Sequence, residues 1–504
     1  MSVKNSLSAR IGLYSAGLKA YWPQFAGLEE RLKGYNHFIE QQLSQWGEVH
    51  NFGLVDDADK AREAGEYFNA CNVDILFVHS ATYFTSSCIL PVHQICRAFT
   101  VMLNLQPGAQ MNYAQTSTGE WLAYCVGCPV PEASNAFERA GLQLHIINGL
   151  LGLPKTPQGA KADEKTSHRP EAQRAWRQIG EWAKAAGAVR VLRASRFGFL
   201  GNYYSGMLDM YSDFTQLQGQ LGLHVELLEM CDLQAHLERV TQEETEAKAR
   251  EVAEFFQISG DSPSDPIARR PTEEQLAWSC KVAAAQQRLA DNARLDALTY
   301  YYHGASGNDY EALQSGFIVG HSLLTAAGIP CAGEGDIKTC VAMKVCDLLG
   351  TGGSYSEIVA MDYDRRTMLI GHDGPFHIRI SDGKPVLRGM GVYHGKKGSG
   401  VAVEAHVKAG PVTTLGLTQL RSGALRLIAS EGVAVKHPIL TIGNTQTHID
   451  FGMDLDDYMN EWFAQAPTHH CALSVGHNAD LFEKVAKLLG IDFVRVGKPG
   501  GALD

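Results

Sequence analysis

Long apolar runs are missing from this 504-residue chain. No stretch approaches the roughly 18 consecutive apolar residues of a membrane-spanning helix, so no membrane partner is expected. A surplus of positive charge is missing too. The chain has 44 Lys and Arg against 55 Asp and Glu, a formal net charge of −11. Nucleic acids and anionic membranes are bound by neutralising phosphates with basic surface, so nucleic acid is not expected either. The opening MSVKNSLSARIGLYSAG has no long apolar core before a cleavage site, which argues against a secretory signal. The 11 cysteines are scattered and odd in number, without a dense framework, and that favours a reducing cytoplasm. Cys125 and Cys128 form one CVGC, but a zinc site wants a second pair, and none follows at suitable spacing. No GxGxxG follows the first strand-like run, so a dinucleotide site is not indicated. There is no internal repeat and no low-complexity segment.

What is present fits an ordinary globular protein with sizeable cores: 45% hydrophobic and 20% charged residues, in a length that predicts two to four domains. The first third alternates strand-like and helix-like segments. ARIGLYSAG is followed by helical spacing over 24–46, then by the continuous apolar run VDILFVHSA and later by QLHIINGLLGL. This is the rhythm of a βαβ domain. After the polar stretch 155–172, VRVLRASRFG (188–198) reads as a new strand and 235–256 as one amphipathic helix. A proline-rich loop over 259–274 precedes the strand-like ALTYYYHG, a helical pattern over 311–327, the turn CAGEGDIKTC and the short helix VAMKVCDLLG. Beyond about 350, short strand-like runs recur between glycines: TMLIGH, FHIRI, GVAVEAHV, PVTTLGL, LRLIAS and PILTIGN. No long helical pattern returns until 478–489. The expected fold is α/β, with two parallel-sheet Rossmann-like domains over 1–186 and 187–345. A mainly antiparallel, barrel-like β-domain follows over 346–504.

Acids and histidines sit at the ends of these elements. Glu311 begins a helix, Glu334 lies in a glycine-rich turn, His372 ends the strand TMLIGH, and His469 and His470 precede another strand. Two carboxylates with two imidazoles suit a divalent cation such as Mn²⁺. Each has a plainer reading: a first-turn acid favoured by the helix dipole, a helix-capping acid, a histidine bonded to its own turn, a core and a surface histidine. His377, His394, His406 and His477 are equally eligible on local sequence. The residues alone therefore define an α/β enzyme with a candidate metal site in its second half.

A resemblance narrows this. AGEGDIKT (332–339) resembles the AGEGDWKT motif of the L-arabinose isomerases. IGHDG (370–374) falls where that family has a strand-end metal histidine, and APTHHCALSVGH (466–477) is similar to its AHH segment. The family implies that Glu334 is both metal ligand and acid/base and that His372 and His470 are ligands. A second carboxylate, aligned with the family's FEDLH segment, is Glu311 in this chain's GNDYEAL, with Asp309 as the alternative. His469 is the alternative to His470. YYYHGASGN and the residues after IGHDG depart from the family pattern, which points to a divergent branch between arabinose and fucose isomerases. The implied activity is metal-dependent aldose–ketose isomerisation of a pentose or deoxyhexose with Mn²⁺, Co²⁺ or Mg²⁺. The implied assembly is a cytoplasmic homo-oligomer, tetramer or hexamer. Asp336 is expected to cap or brace its turn. The competing functions are a different metal-dependent carbohydrate enzyme and a non-catalytic sugar-binding protein on the same scaffold.

Overall fold

Residues 8–161, 165–390, 392–393 and 396–497 are described by a computed structural model. His394 lies outside the described residues. The chain divides into two compact units, one within residues 4–190 and the other within 191–504. No helix among the described residues is long and apolar enough to cross a membrane.

The first unit is built on five parallel strands: β1 (Ala9–Ala16), β2 (Gly47–Val55), β3 (Ile75–Ser80), β4 (Phe99–Gln106) and β5 (Leu144–Leu150), in the order β2-β1-β3-β4-β5. The run ILFVHS is buried along its whole length, as a strand covered on both faces must be. Tyr14, Phe68, Leu76, Phe84 and Phe137 fill one side of the sheet. Cys125 and Cys128 are joined as a disulfide, and the other cysteines are free. The strand expected from residue 188 begins later. Helix Pro170–Arg193 runs on through VRVL because Ala185, Ala188, Val189 and Leu192 continue one buried helical face.

The second unit opens with a parallel sheet of β6 (Arg196–Gly201), β7 (His224–Leu228), β9 (Ala297–Tyr301) and β10 (Cys331–Ala332), in the order β10-β9-β6-β7. Two expected helices are each split. Over 235–256, Thr241 and Glu244 form a capping box that starts a new helix at Gln242 after Met230–Leu237. Over 311–327, Gly316 separates Asp309–Gln314 from Phe317–Ala326. The short strand β8 (Gln257–Ile258) joins β13 (Val386–Gly389) and β16 (Val401–Glu404) in a small sheet. β14 (Val392–Tyr393) pairs with β15 (Lys396–Lys397).

The expected β-rich region is a closed barrel. Its strands are β11 (Gly352–Asp362), β12 (Thr367–His372), β17 (Gly410–Gln419), β18 (Leu425–Val435), β19 (Thr445–Asp450) and β20 (His470–Val475). They run antiparallel in the order β17-β20-β11-β12-β19-β18, and β18 pairs back onto β17. β21 (Asp492–Val496) adds in parallel to β18. Met368, Ile370, Ile428, Ile449 and Leu473 belong to its core. FHIRI forms one 3₁₀ turn, Ile378–Ile380, and PILTIGN is irregular, so neither is a strand. An unexpected helix, Leu455–Phe463, is capped by Asp454 and buries Leu455, Tyr458 and Trp462 at helical spacing.

Candidate active site

Strand register brings three residues of the barrel together. β11 lies between β12 and β20, and Glu357 on β11 stands opposite Gly371 on one side and His470 on the other. His372 is the next residue after Gly371 and closes β12. Glu334 arrives from the parallel sheet, in the turn between β10 and helix Ile337–Leu348. Its φ is +62°, a left-handed conformation that an L residue adopts at a cost of about 1–3 kcal/mol. Gly335 beside it is also left-handed, and a Cβ there would stand 2.8 Å from the Asn202 carbonyl oxygen. Backbone bonds fix the turn: Gly335 N–H donates to Tyr300 O at 3.1 Å, and Tyr204 N–H to Glu334 O at 2.9 Å.

Glu334 is 4% exposed and faces three imidazoles. Its carboxylate oxygens lie 3.5 Å from His470 Nε2, 3.9 Å from His372 Nε2 and 3.9 Å from His469 Nε2. Two groups of donor atoms each fit within 4.8 Å: Glu334 with His469 and His470, and Glu357 with His372 and His470. His470 belongs to both. Tyr355, fully buried, packs its ring 4.6 Å from His372 and 4.5 Å from His470, holding both rings in place.

Asp336 performs two jobs. It caps helix Ile337–Leu348, accepting from Thr339 N–H at 3.0 Å and from the Thr339 hydroxyl at 2.8 Å. It also lies 3.0 Å from His470 Nδ1. A proton on Nδ1 directed at this carboxylate leaves the Nε2 lone pair facing Glu334, the arrangement that orients metal-binding histidines. His469 is held from the exposed side. Its Nδ1 is 2.7 Å and its backbone N–H 3.0 Å from Asp209 Oδ2. Lys338, nearly buried, donates to Met210 O and Ser212 Oγ at 2.9 Å each and pins the segment next to Asp209.

The electrostatics show an unbalanced negative charge. Burial pushes the Glu334 carboxyl up to about 7, with a nearby Asp373 and Glu357 opposed by His372 and His469. Burial favours a neutral His372, but Asp373, Glu334 and Glu357 outweigh it and hold the ring at about 9. Burial takes His470 down to about 4 despite Asp336. The raised histidine reports a surplus of carboxylates, which a bound cation would neutralise, while the raised acid is chiefly an effect of burial. Each group, a carboxylate oxygen with two imidazole nitrogens, fits a divalent metal ion.

Glu334, His372, His469 and His470 are therefore brought together. Asp309 and Glu311 are in neither donor group. Asp309 is exposed in the first turn of its helix, and the Glu311 carboxylate accepts from Gly307 N–H. The residue missed from sequence is Glu357. Only pairing of β11 with both histidine strands reveals it, since SEIVAMD reads as a plain half-buried strand.

Residues 352–492 match the family described as the L-arabinose isomerase C-terminal domain. The chain is 22% identical over 382 residues to the L-arabinose isomerase of Aeromonas hydrophila subsp. hydrophila, covering 72% of this chain and 71% of the relative. It is 21% identical to the L-arabinose isomerases of Clavibacter sepedonicus and Acidothermus cellulolyticus, spanning 61% and 64% of their lengths. The fold and site thus define an α/β protein with a barrel-borne cluster of acids and imidazoles. The chain is similar to the L-arabinose isomerases, and its residues 352–492 to their C-terminal domain.

Proposed function

We propose that this chain is a metal-dependent aldose–ketose isomerase acting on a pentose or deoxyhexose resembling L-arabinose or L-fucose. The observation that carries the reading is the buried Glu334 carboxyl, within 3.9 Å of three imidazoles in a site with excess negative charge. Glu334, Glu357, His372 and His470 would hold the ion. When bound, it supplies Lewis-acid stabilisation of the charge that develops on the sugar oxygens.

The residues divide the remaining work. Glu334, the buried carboxyl beside the three imidazoles, takes the proton from one of the two reacting carbons and returns it to the other. Its left-handed backbone, locked by Tyr204 and Tyr300, fixes where the carboxylate points. Tyr355 and Asp336 keep His372 and His470 oriented. His469, anchored by Asp209 on the exposed side, donates to a sugar hydroxyl. The resemblance aligns Glu311 with the second carboxylate, whereas Glu357 is the acid lying with His372 and His470. We assign that position to Glu357. Mn²⁺ titration of Glu357→Gln and Glu311→Gln separates the two, since only the true ligand's loss weakens binding strongly.

The test of function is a screen of aldoses and ketoses with Mn²⁺, products identified by NMR, in ²H₂O. The expected result is interconversion of one aldose–ketose pair with solvent deuterium entering at C2 of the aldose. Binding without turnover across the panel would leave a sugar-binding protein in its place.

A further inference from the structure

The CVGC segment belongs to the first unit, in the connection from β4 to β5, where Cys125 and Cys128 form a disulfide. In the sheet order β2-β1-β3-β4-β5, the chain leaves β1 toward β2 on one side and then adds β3, β4 and β5 on the other. The reversal lies between β1 and β3. In open parallel sheets the functional crevice lies beyond the carboxyl ends of the strands at such a reversal. The segment is tied to that end of β3. Ser80, the last residue of β3, donates its hydroxyl to Val126 O at 2.6 Å, and Thr82 donates to Leu122 O at 2.8 Å.

The two sulfurs are not equivalent. Cys125 is buried, whereas Cys128 is exposed. Cys128 also holds the N-cap of helix Pro129–Arg139, whose positive dipole end favours a thiolate. An accessible sulfur paired with a buried one divides the work of exchange: the first meets the partner molecule, and the second resolves. The plainer role is a structural staple. Against it, the bond joins residues only three apart in the chain, so it removes little freedom from the unfolded state. The nine other cysteines are free, so disulfides do not hold this fold together elsewhere. A single CxxC inside a βαβ unit of such a chain has the pattern of a redox pair.

We propose that Cys125 and Cys128 form a thiol–disulfide exchange site whose substrates are low-molecular-weight thiols and disulfides. In the oxidising direction, the Cys128 thiolate attacks one sulfur of a disulfide RSSR and expels RS⁻, leaving a mixed disulfide on Cys128. Cys125 then loses its proton, attacks Cys128 Sγ and expels the second RS⁻. Two electrons pass from the pair to RSSR, and the two protons lost by the cysteines convert both RS⁻ to RSH. Two molecules of RSH reopen the bond by the reverse path, entering at the exposed Cys128 sulfur. The exchange uses none of Glu334, Glu357, His372, His469 and His470, so it stands or falls separately from isomerisation.

The experiment equilibrates the full-length protein with glutathione at graded ratios of oxidised to reduced form. Acid quenches the exchange, free thiols are alkylated, and peptide mass spectrometry reads each cysteine. Wild type, Cys125→Ser and Cys128→Ser are compared, each checked by melting. In wild type the Cys125–Cys128 bond should open and close reversibly across the series, while buried cysteines such as Cys340 and Cys471 stay thiols. Cys125→Ser should gain a glutathione adduct on Cys128 about tenfold faster than Cys128→Ser gains one on Cys125, because exchange follows access and thiolate character. A bond that stays closed in the folded protein under excess reduced glutathione would make the pair a staple. A pair that stays open under excess oxidised glutathione would make it two unrelated thiols. Either result overturns the site, and so do equal adduct rates in the two variants. Should a variant fail to melt cooperatively, the wild-type series decides by itself, since it needs no substitution.

Discussion

At the scale of single residues, Glu334 and Asp336 are two positions apart and differ in kind. Glu334→Gln removes the titrating proton while keeping shape and one oxygen. Turnover should stay depressed about a hundredfold at saturating Mn²⁺, the scale of a lost general acid/base, with C2–deuterium exchange falling in parallel. Exchange at the wild-type rate would remove Glu334 from the chemistry. Asp336→Asn has a separate signature. Asn still caps the helix through its Oδ1 but loses the carboxylate oxygen that accepts from the Thr339 hydroxyl, so stability should fall by about 1 kcal/mol in urea unfolding. Loss of the partner to His470 Nδ1 should also weaken Mn²⁺ binding about 10–100-fold. A variant that is destabilised but binds Mn²⁺ normally would show that Asp336 braces the turn and does nothing for His470. Protons must leave for the ion to enter. His372 holds one up to about pH 9 and Glu334 up to about 7, so Mn²⁺ affinity should rise from pH 6 to 9. Calorimetry in buffers of different ionisation heat should detect proton release, and a flat pH profile would contradict the ligand set.

At the scale of elements, the site depends on helices that approach closely. Gly320, in helix Phe317–Ala326, faces helix Glu273–Ala293. A Cβ there would sit 1.8 Å from Gln286 Oε1 and 2.7 Å from Ala283 Cα. The amide of Gln286 can swing, but the Ala283 backbone cannot. Gly320→Ala should therefore destabilise by about 1–3 kcal/mol, the usual range for overpacking, seen as a lower urea midpoint at unchanged slope. A neutral outcome would mean that the two helices separate freely. The barrel has the opposite requirement. β11 must keep its register with both β12 and β20, since a slip of one residue would turn Glu357 away from His470.

At the scale of the whole molecule, the buried cluster links pH, metal and stability. His372 has a raised folded value of about 9, so its contribution is fully present below the unfolded imidazole value and is lost as pH rises toward 9. Glu334, raised by burial to about 7, likewise favours the fold while protonated and opposes it once ionised. The metal-free protein should therefore melt at a lower temperature at pH 9 than at pH 7. Mn²⁺ at a fixed concentration, a hundred times its dissociation constant at pH 9, should add about 2.7 kcal/mol at pH 9 and less at pH 7, offsetting the trend, because it binds best where the protons are gone. Melting curves at both pH values, with and without Mn²⁺, decide this. A metal-free protein that is more stable at pH 9 would overturn the charge balance derived for the site.

The sequence by itself determined the α/β pattern, the change to β-structure near residue 350, the turn that carries Glu334 and the strand ends that carry His372 and His470. Those features are local: apolar runs of strand length, glycines that permit left-handed turns, and polar residues that stop a strand. It misread places where local signals compete. VRVL is β-branched, yet its apolar residues continue the face of a long helix. FHIRI alternates, yet lies in a turn. TQEE looked like helix interior and is a cap. Tertiary structure alone decided barrel closure through β17 and β18, and the meeting of Glu357 with His372 and His470. It also decided the second role of Asp336 as partner of His470. Each of these joins residues far apart in the chain, and no local periodicity encodes which strand edge finds which.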